Sequence, residues 1–370
     1  MDQYRHKRVI ISGGGTGGHV FPAISVANAL RKTDPEIDIL FVGAEGRMEM
    51  EKVPAAGYRI TGLPVAGFYR RFTFRNFTVL FRLIQSLSMA KKIIKDYQPD
   101  VVVGVGGYAS GPVLRQAGKM GIPTLIQEQN NYAGITNRLL AGKASVICVA
   151  YDGMEKYFPA GKIVKTGNPV RQNYDNIDDL KEEALAFFRL KKGKPVILVL
   201  GGSLGAGTIN KSLTINLNKV TGSDCQWLWQ TGKYYYESIK SSVSGLLTDN
   251  VSVHGFIDRM DYAFAAADII VSRAGAGTIS ELCLVGKPVI LVPSPNVAED
   301  HQTRNAEALS IRNAAILVED KQAVRILVDE ATGLVSDKVK RAILSENIKK
   351  MADRDADLRI AREVLKLAGV

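Results

Sequence analysis

The sequence predicts an α/β protein with parallel sheets and two domains, and three observations support this class. Short runs rich in Val, Ile and Leu alternate with segments of helix-like composition along the chain. The runs are apolar throughout, which is typical of parallel strands covered on both faces. A chain of 370 residues is also longer than one hydrophobic core normally supports. The predicted strands are residues 8–12, 37–42, 101–104, 124–127, 146–149, 196–200, 269–271 and 289–291.

Both halves of the chain open with a strand, a glycine-rich turn and a helix. This pattern occurs at residues 9–26 and again at residues 196–210, which indicates two Rossmann-like domains. We place the boundary near Gly167-Asn168-Pro169, where turn residues end a β run. Helices are predicted near the end of the chain at residues 338–351 and 357–367. The pattern leaves open which domain the last helix packs on.

The composition is that of an ordinary globular protein, with 46% hydrophobic and 23% charged residues, and it excludes collagen-like and low-complexity classes. Cys148, Cys225 and Cys283 lie far apart and form neither a disulfide framework nor a metal pattern. We find no apolar run of the roughly 18 residues that a spanning helix needs. The first residues also lack the apolar stretch of a signal peptide. A reducing, cytoplasmic location is therefore expected.

The formal net charge of +11 is unevenly distributed. Residues 1–166 contain 22 Lys and Arg against 12 Asp and Glu, whereas residues 167–370 are nearly balanced, with 26 against 25. Residues 59–95 contain eight basic side chains and no acidic one. Such a local excess predicts an anionic partner, either nucleic acid or lipid headgroups.

The first glycine-rich turn has the composition of an anion site. Residues 13–18 match the dinucleotide pattern G-x-G-x-x-G, and the following helix start offers backbone N–H donors. The pattern also requires an acid at the end of the second strand, but Asp38 comes too early and Glu45 too late. Binding of NAD is therefore disfavoured. His19 follows in the first turn of the helix, where a neutral imidazole can serve as a general base, although a capping or packing role is the usual one for such a histidine.

Two further turns resemble phosphate cradles. Residues 201–206 offer small residues and the hydroxyl of Ser203, with an ordinary βα turn as the equal alternative. The small residues in 273–281 again let a ligand come close to the backbone. Glu281 is suited to accept two hydrogen bonds from a ribose diol. Thr278 and Glu281 also have the spacing of a capping box, so the sequence leaves the two interpretations open.

Polar clusters follow other predicted strands. Residues 299–305 follow a Pro-Ser-Pro turn, and Glu128-Gln129-Asn130 ends a strand of the first half, so both lie where open α/β sheets bind ligands. Arg171 follows the interdomain turn and is a candidate for diphosphate contact, or else a solvated surface arginine. The D-x-D patterns of residues 353–357 lie between helices with no strand before them, which favours helix capping over metal binding. No His or Cys cluster has metal-ligand spacing, and no metal is expected.

One basic segment interleaves aromatic and arginine side chains. This composition suits an interfacial membrane contact better than nucleic acid, for which no binding motif is present. After it, Phe77, Phe81, Ile84 and Leu87 recur at helical spacing, and the later part of that helix is expected to pack on the sheet. The predicted membrane-contact residues are Phe68, Tyr69, Arg70, Arg71, Phe72, Phe74 and Arg75.

Taken together, these blocks resemble the MurG family of bacterial glycosyltransferases, in order and over nearly the whole chain. The matching blocks are 14–22 (GGTGGHVFP), 106–112 (GGYASGP), 128–130 (EQN), 167–171 (GNPVR), 201–203 (GGS), 273–281 (RAGAGTISE) and 300–302 (DHQ).

The resemblance implies a GT-B fold, in which two Rossmann-like domains face each other across a cleft. It implies an acceptor- and membrane-facing domain at 1–167, joined by the C-terminal helix 352–370, and a UDP-sugar domain at 168–351. The implied reaction inverts the anomeric carbon while moving N-acetylglucosamine from UDP-N-acetylglucosamine to the 4-hydroxyl of the N-acetylmuramoyl unit of lipid I. No cofactor is implied. The protein would lie on the cytoplasmic face of the inner membrane, where peptidoglycan synthesis serves cell shape and division, and other cell-wall synthesis proteins are possible partners.

The resemblance also implies roles for individual residues. Glu281 would hold the ribose, Ser203 and Arg171 the diphosphate, Gln302 and Asn130 the sugar side, and Ile257, just after a strand, would present backbone groups to uracil. The catalytic base is not settled by the resemblance: His19 is our candidate and Glu128 is the second choice. The residues implied around the UDP-sugar are Thr16, Gly17, Gly18, Asn130, Arg171, Ser203, Ile257, Ala276, Gly277, Thr278, Ile279, Ser280, Glu281 and Gln302.

Two other functions are open at this stage. A UDP-N-acetylglucosamine 2-epimerase shares the fold and the donor but needs several carboxylates around the sugar and no membrane patch. A non-enzymatic basic module that binds nucleic acid would show salt-dependent oligonucleotide affinity and no affinity for UDP-sugars.

Overall fold

The computed structural model describes residues 6–65, 75–170, 174, 176–202, 205–297 and 300–370, with the backbone alone for 75–80. The described strands are β1 (Arg8–Gly13), β2 (Asp38–Ala44), β3 (Arg59–Leu63), β4 (Val101–Gly106), β5 (Thr124–Glu128), β6 (Val146–Val149), β7 (Ile163–Lys165), β8 (Val196–Leu200), β9 (Gln226–Gln230), β10 (Val251–His254), β11 (Ile269–Ser272), β12 (Val289–Leu291) and β13 (Ile316–Leu317).

Helices connect most of these strands. They are α1 (Gly17–Thr33), α2 (Glu49–Ala55), α3 (Arg75–Tyr97), α4 (Ser110–Lys119), α5 (Ile135–Leu140), α6 (Lys181–Phe187), α7 (Gly207–Ile215), α8 (Leu217–Thr221), α9 (Tyr236–Val243), α10 (Met260–Ala266), α11 (Ala276–Val285), α12 (His301–Ser310), α13 (Asp320–Ser336), α14 (Lys338–Lys350) and α15 (Ala356–Ala368). Short 3-10 helices lie at Met154–Lys156, Ala160–Lys162 and Ile177–Leu180.

The chain divides into two compact units. The N-terminal unit comprises Met1–Arg171 together with Asp355–Val370, and the C-terminal unit comprises Gln172–Arg354. The predicted α/β class with parallel sheets is confirmed, because each unit contains one sheet and every described strand pairing is parallel.

The N-terminal unit contains a seven-stranded sheet in the order β3-β2-β1-β4-β5-β6-β7. Val9 and Ile11 of β1 point to one face, where α1 and α15 cover them, and Ile10 points to the opposite face, toward α3 and α4. The strand order reverses between β1 and β4. In open α/β sheets this switch point is where ligands bind, at the carboxyl ends of the strands.

The C-terminal unit repeats this architecture with a six-stranded sheet in the order β10-β9-β8-β11-β12-β13. Its switch point lies between β8 and β11. One face carries Leu198 and Ile270, and the other carries Ile197 together with Trp227 and Trp229 of β9. The predicted strands do not include β3, β7, β9, β10 and β13; in β9, Gln and Trp residues replace the Val/Ile/Leu pattern that marked the predicted strands.

The last helix, α15, packs within the N-terminal unit. Ile360 and Val364 are fully buried in the same core as Val26 and Leu30 of α1. This packing answers the question that the sequence pattern left open, because an amphipathic helix shows which of its faces is buried but not against what.

The buried face of α3 differs from the predicted one. Ser86, Ala90 and Ile94 are buried against the sheet, whereas Phe81 and Ile84 expose 70% and 60% of their surface. The expectation that the apolar side chains at helical spacing pack on the sheet is therefore wrong for Phe81 and Ile84. Within the described residues, no helix is both long and apolar enough to span a bilayer.

Candidate functional site

The first glycine turn joins β1 to α1 at the switch point of the N-terminal sheet. Thr16 is the N-cap residue of α1, but its side chain makes no capping hydrogen bond, and the first turn contains no acidic residue. Gly17 and Gly18 are the first two residues of the helix. This helix start therefore presents backbone N–H groups and the positive end of the helix dipole, a combination that favours an anion.

A second glycine turn, at the end of β4, lies directly against the first. A Cβ atom on Gly107 would lie 2.3 Å from the carbonyl oxygen of Gly14, and one on Gly106 would lie 2.8 Å from Cδ2 of His19. Both glycines also have positive φ angles, +97° at Gly106 and +86° at Gly107. The two turns can thus touch only because neither position carries a side chain.

His19 lies between these turns in a defined orientation. Its Nδ1 atom is 3.2 Å from the carbonyl oxygen of Gly14 and 3.2 Å from the hydroxyl of Thr16. A carbonyl oxygen can only accept a hydrogen bond, so Nδ1 carries the hydrogen in the neutral ring and Nε2 is the nitrogen that can take a proton. Burial lowers the pKa of His19 from 6.5, and the carboxylates of Glu128 and Glu49 partly oppose this effect. The ring is therefore neutral at pH 7.

Glu128, at the end of β5, is buried and fully engaged in local hydrogen bonds. One carboxylate oxygen accepts from the backbone N–H and the side-chain amide of Asn130, at 3.0 and 3.2 Å. The other accepts from the N–H of Gly134 and the side chain of Asn137, both at 2.9 Å. Only 1% of Glu128 is exposed. This arrangement suits a residue that orients Asn130 and its loop.

Buried side-chain amides support this edge of the sheet, and the sequence analysis did not single out their roles. Gln129 donates to the carbonyl of Val105 at 2.7 Å, and Asn168 donates to the carbonyl of Gln129 at 3.1 Å. These hydrogen bonds link the ends of β4 and β5 to the turn after β7. The sequence signal that could have indicated these roles is an amide residue placed at or just after the carboxyl end of an apolar strand, where its side chain becomes buried.

In the C-terminal unit, α11 starts at the switch point, directly after β11. Its N-cap residue is Gly275, which has no side chain to cap the helix start. Thr278 lies inside the helix, so the capping-box interpretation of Thr278 and Glu281 is wrong. Glu281 instead accepts a hydrogen bond of 3.2 Å from the hydroxyl of Tyr174. The backbone N–H groups at the start of α11 are thus not capped by a side chain of the helix.

The glycine turn after β8 is linked to the loop after β10 by a side chain that the sequence analysis missed. Gln230, at the end of β9 and 4% exposed, donates to the carbonyl of Gly202 at 3.2 Å. Its side-chain oxygen accepts from the backbone N–H of Ile257 at 3.0 Å. The N–H of Ile257 is therefore engaged within the protein. Ser203 of the same turn lies outside the described residues.

The loop after β12 folds back onto the start of α12. Gln302 accepts from the backbone N–H of Ser294 at 2.8 Å, and Asn305 donates to the carbonyl of Ala274 at 3.2 Å. Arg273 donates to the carbonyl of Val292 at 3.0 Å and pairs with Asp320 of α13. These contacts hold Gln302 close to the start of α11.

The described candidate residues thus form one group in each unit. In the N-terminal unit they lie at the strand ends of the sheet: Thr16, Gly17, Gly18, His19, Glu128 and Asn130. In the C-terminal unit they lie on the loop after β10, along α11 and at the start of α12: Ile257, Ala276, Gly277, Thr278, Ile279, Ser280, Glu281 and Gln302. Arg171 and the segment with Phe68, Tyr69, Arg70, Arg71, Phe72 and Phe74 fall outside the described residues, as does the side chain of Arg75.

Among the described residues, no group of three or more His, Cys, Asp or Glu is arranged to hold a metal ion. In the D-x-D segment 353–357, Asp355 occupies the N-cap position of α15, but its side chain makes no capping hydrogen bond.

Comparisons with known proteins agree with this architecture. Residues 9–149 match the glycosyltransferase family 28 N-terminal domain, and residues 196–360 match the family's C-terminal domain. The chain is therefore a glycosyltransferase of family 28.

Relatives of nearly the same length narrow the assignment. A Parabacteroides distasonis protein is 58% identical over 363 residues, covering 98% of this chain and 99% of the relative. A Bacteroides thetaiotaomicron protein is 58% identical over 364 residues, covering 98% of each. Both are named UDP-N-acetylglucosamine--N-acetylmuramyl-(pentapeptide) pyrophosphoryl-undecaprenol N-acetylglucosamine transferase. The chain belongs to the MurG family, as the sequence blocks predicted.

Solved structures support the GT-B fold class. The crystal structure of Acinetobacter baumannii MurG matches with a TM-score of 0.69 and 28% identity, covering 97% of this chain and 99% of that one. A UDP-GlcNAc 2-epimerase from Neisseria meningitidis matches with a TM-score of 0.68 at 16% identity, over 97% of this chain and all of that one. At this low identity the second match is evidence of the fold alone.

The contact between the two glycine turns makes a prediction about stability. Gly107→Ala should lower the free energy of unfolding by about 2–4 kcal/mol, because a strained backbone and a clash with a backbone atom add together. Gly118→Ala in α4 is the matched control, since its Cβ would meet only Lys143 at 3.9 Å, and it should be neutral or stabilising by up to about 1 kcal/mol. Urea denaturation followed by circular dichroism measures both, and equal stability of the two variants would contradict the proposed turn contact.

Proposed function

We propose that this protein transfers N-acetylglucosamine from UDP-N-acetylglucosamine to the 4-hydroxyl of the N-acetylmuramoyl unit of lipid I, which yields lipid II for peptidoglycan synthesis. The observation that carries the proposal is the 58% identity, over 98% of the chain, to proteins named for this reaction. Two further features support it independently. At each sheet switch point a helix starts whose N-cap residue makes no side-chain capping hydrogen bond, and a neutral histidine lies beside one of these starts.

In this proposal the C-terminal unit holds the donor. The start of α11, with Ser203 and Arg171, binds the diphosphate, and Glu281 accepts hydrogen bonds from the ribose hydroxyls. Ile257 contacts uracil, and Gln302 and Asn130 contact the sugar side. Because the N–H of Ile257 already donates to Gln230, its carbonyl is the group offered to the base. Backbone and arginine donors then stabilise the negative charge that develops on departing UDP.

The N-terminal unit supplies the general base. Inversion by single displacement requires that a base take the proton of the attacking hydroxyl. We assign this role to His19, whose Nδ1 is held by Gly14 so that Nε2 is basic. Glu128 is the weaker candidate because four hydrogen bonds already occupy its carboxylate. Its role in our proposal is to orient Asn130.

We further propose that the N-terminal unit docks on the anionic cytoplasmic face of the cell membrane, where the lipid acceptor lies. Phe81 and Ile84 are largely exposed on α3, one helical turn apart, and Arg82 is exposed between them. Apolar side chains flanked by cations suit the headgroup boundary. The neighbouring segment from Phe68 to Arg75 extends the same composition. Nucleic acid is not expected as a partner, and other cell-wall synthesis proteins remain candidates.

Transfer of label tests the reaction and the base together. The wild-type protein should move radiolabelled N-acetylglucosamine from UDP-N-acetylglucosamine to a lipid I analogue, with or without a chelator. His19→Ala should reduce turnover by about 10²–10⁴-fold while the affinity for UDP is unchanged. Because burial lowers the pKa of His19, the wild-type enzyme should lose kcat/KM only when the pH falls below 6.5.

Other outcomes of the same assay would be decisive. Formation of UDP-N-acetylmannosamine from the donor alone would show that the protein is an epimerase and not the proposed transferase. Unchanged turnover in His19→Ala would remove this residue as the base, and Glu128→Gln would then be the next variant to measure.

Glu281 provides a separate test of the donor site. Glu281→Ala should raise the Kd for UDP by about 10- to 100-fold, because hydrogen bonds to a charged acceptor are lost. Tyr174→Phe removes only the partner hydroxyl and keeps the carboxylate, so its effect should be much smaller. Isothermal titration calorimetry and thermal unfolding measure both variants. A large stability loss in Glu281→Ala with normal UDP affinity would make its role structural.

Vesicle binding tests the membrane proposal. Replacing Phe68, Arg70, Arg71 and Phe72 with Ser should reduce sedimentation with vesicles that contain anionic lipid, but spare activity on a soluble lipid I analogue. The matched control replaces Ile311 and Arg312, an exposed apolar and basic pair of the C-terminal unit, and should bind vesicles normally. Equal binding by both variants and the wild type would refute the assignment.

A further inference from the structure

Glu49 is a buried carboxylate for which the proposed reaction has no role so far. It is the first residue of α2, and only 1% of it is exposed. Its partners are backbone groups, and no Lys, Arg or His forms an ion pair with it in the described part of the chain. Burying a charge without a cation is costly unless hydrogen bonds satisfy it, so such a residue is expected to have a specific task.

The carboxylate of Glu49 clamps the first glycine turn. Both oxygens accept from the backbone N–H of Gly15, at 3.1 and 3.0 Å, and Oε1 also accepts from the N–H of Ala44 at 2.9 Å. The turn is thereby fastened to the end of the neighbouring strand β2. Because Glu49 occupies the N–H of Gly15, that donor is engaged within the protein.

Two glycines make room for this clamp. A Cβ atom on Gly14 would lie 2.0 Å from Oε1 of Glu49, and one on Gly43 would lie 2.6 Å from its Cγ. The side chain therefore lies directly on the backbone of the turn and of β2. This close packing explains why both positions lack a side chain.

One peptide group connects Glu49 to His19. Gly15, whose N–H is held by Glu49, follows Gly14, whose carbonyl accepts from Nδ1 of His19. Glu49 thus fixes the peptide group that lies between the clamp and the histidine. The charged groups that face the imidazole are Glu128 from β5 and Glu49 from α2, and the polar group is the hydroxyl of Thr16.

We propose that Glu49 is a positioning residue, which holds the Gly14–Gly15 peptide so that His19 keeps its hydrogen on Nδ1 and presents Nε2 as the base. This inference rests on the proposed function only in its kinetic consequence. The negative charge of Glu49 adds a second effect, since it raises the pKa of His19 against the lowering caused by burial.

The contacts of the site suit a carboxylate at position 49 better than an amide. The two backbone N–H groups that face it are both donors, and a carboxylate offers only acceptors. An amide of the same shape can keep an oxygen at the Oε1 position, where it accepts from both Gly15 and Ala44, but its NH₂ group then replaces Oε2 and faces the N–H of Gly15. Glu49→Gln therefore changes the hydrogen bonds and the charge with little change in volume.

The experiment compares Glu49→Gln with Glu51→Gln, which makes the same change on the same helix at a side chain that is 71% exposed. Glu49→Gln should reduce kcat at least tenfold and move the acid limb of kcat/KM to lower pH, whereas Glu51→Gln should behave as wild type. The Kd for UDP should not change in either variant. Nitrogen-15 NMR, with the His19 signals assigned by their loss in His19→Ala, should show Nδ1–H in the wild type and a tautomer mixture in Glu49→Gln.

The outcomes separate this inference from the proposed function. A wild-type pH profile and tautomer in Glu49→Gln would overturn the inference, and so would a lower unfolding temperature with both properties unchanged. Absence of transfer by the wild-type protein would instead overturn the proposed function, while the NMR comparison still decides the role of Glu49. If Glu49→Gln does not fold, Glu49→Asp retains the charge but shortens the reach to Gly15, and it should alter the tautomer with a smaller shift of the acid limb.

Discussion

Contact between two backbone turns constrains the groups around His19 in the N-terminal unit. Gly107 meets the carbonyl of Gly14 with no space for a side chain, and this contact is possible because β1 and β4 are neighbours at the point where strand order reverses. The same contact presses Gly106 against the ring of His19. A backbone fixed in this way can hold an imidazole in one orientation, which a mobile loop cannot do.

The helix starts at the two switch points both favour an anion, but the N-terminal unit also places buried carboxylates near its helix start. In the N-terminal unit, the carboxylates of Glu49 and Glu128 lie near His19 and favour proton uptake. In the C-terminal unit, the start of α11 has no acidic residue in its first turn, so its dipole and N–H groups favour an anion. One fold, used twice, thus supplies the base for one substrate and the charge stabilisation for the other in our proposal.

Buried amides set much of the geometry behind both groups. Gln230 joins the turn after β8 to the loop after β10, and Asn305 joins α12 to Ala274, two residues before α11. Gln129 and Asn168 do the same at the ends of β4 and β5. An amide donates and accepts at once, so a single side chain can fix two backbone segments without the desolvation cost of a buried charge.

The sequence by itself determined the fold class and the two-domain plan, because apolar runs and glycine turns are local patterns that can be recognised without a structure. The family followed from the resemblance of its motif blocks. It also led us to propose His19, Glu128, Asn130 and Glu281 as site residues, since each follows a recognisable strand or turn. The family resemblance implied that the C-terminal helix joins the first domain, but only the tertiary structure showed which residues of α1 it packs on, that Phe81 and Ile84 face outward, and that Thr278 lies inside its helix. Glu49 and Gln230 belong to the same class: their partners are distant backbone groups, and a hydrogen bond between residues far apart in the chain leaves no local pattern in the sequence.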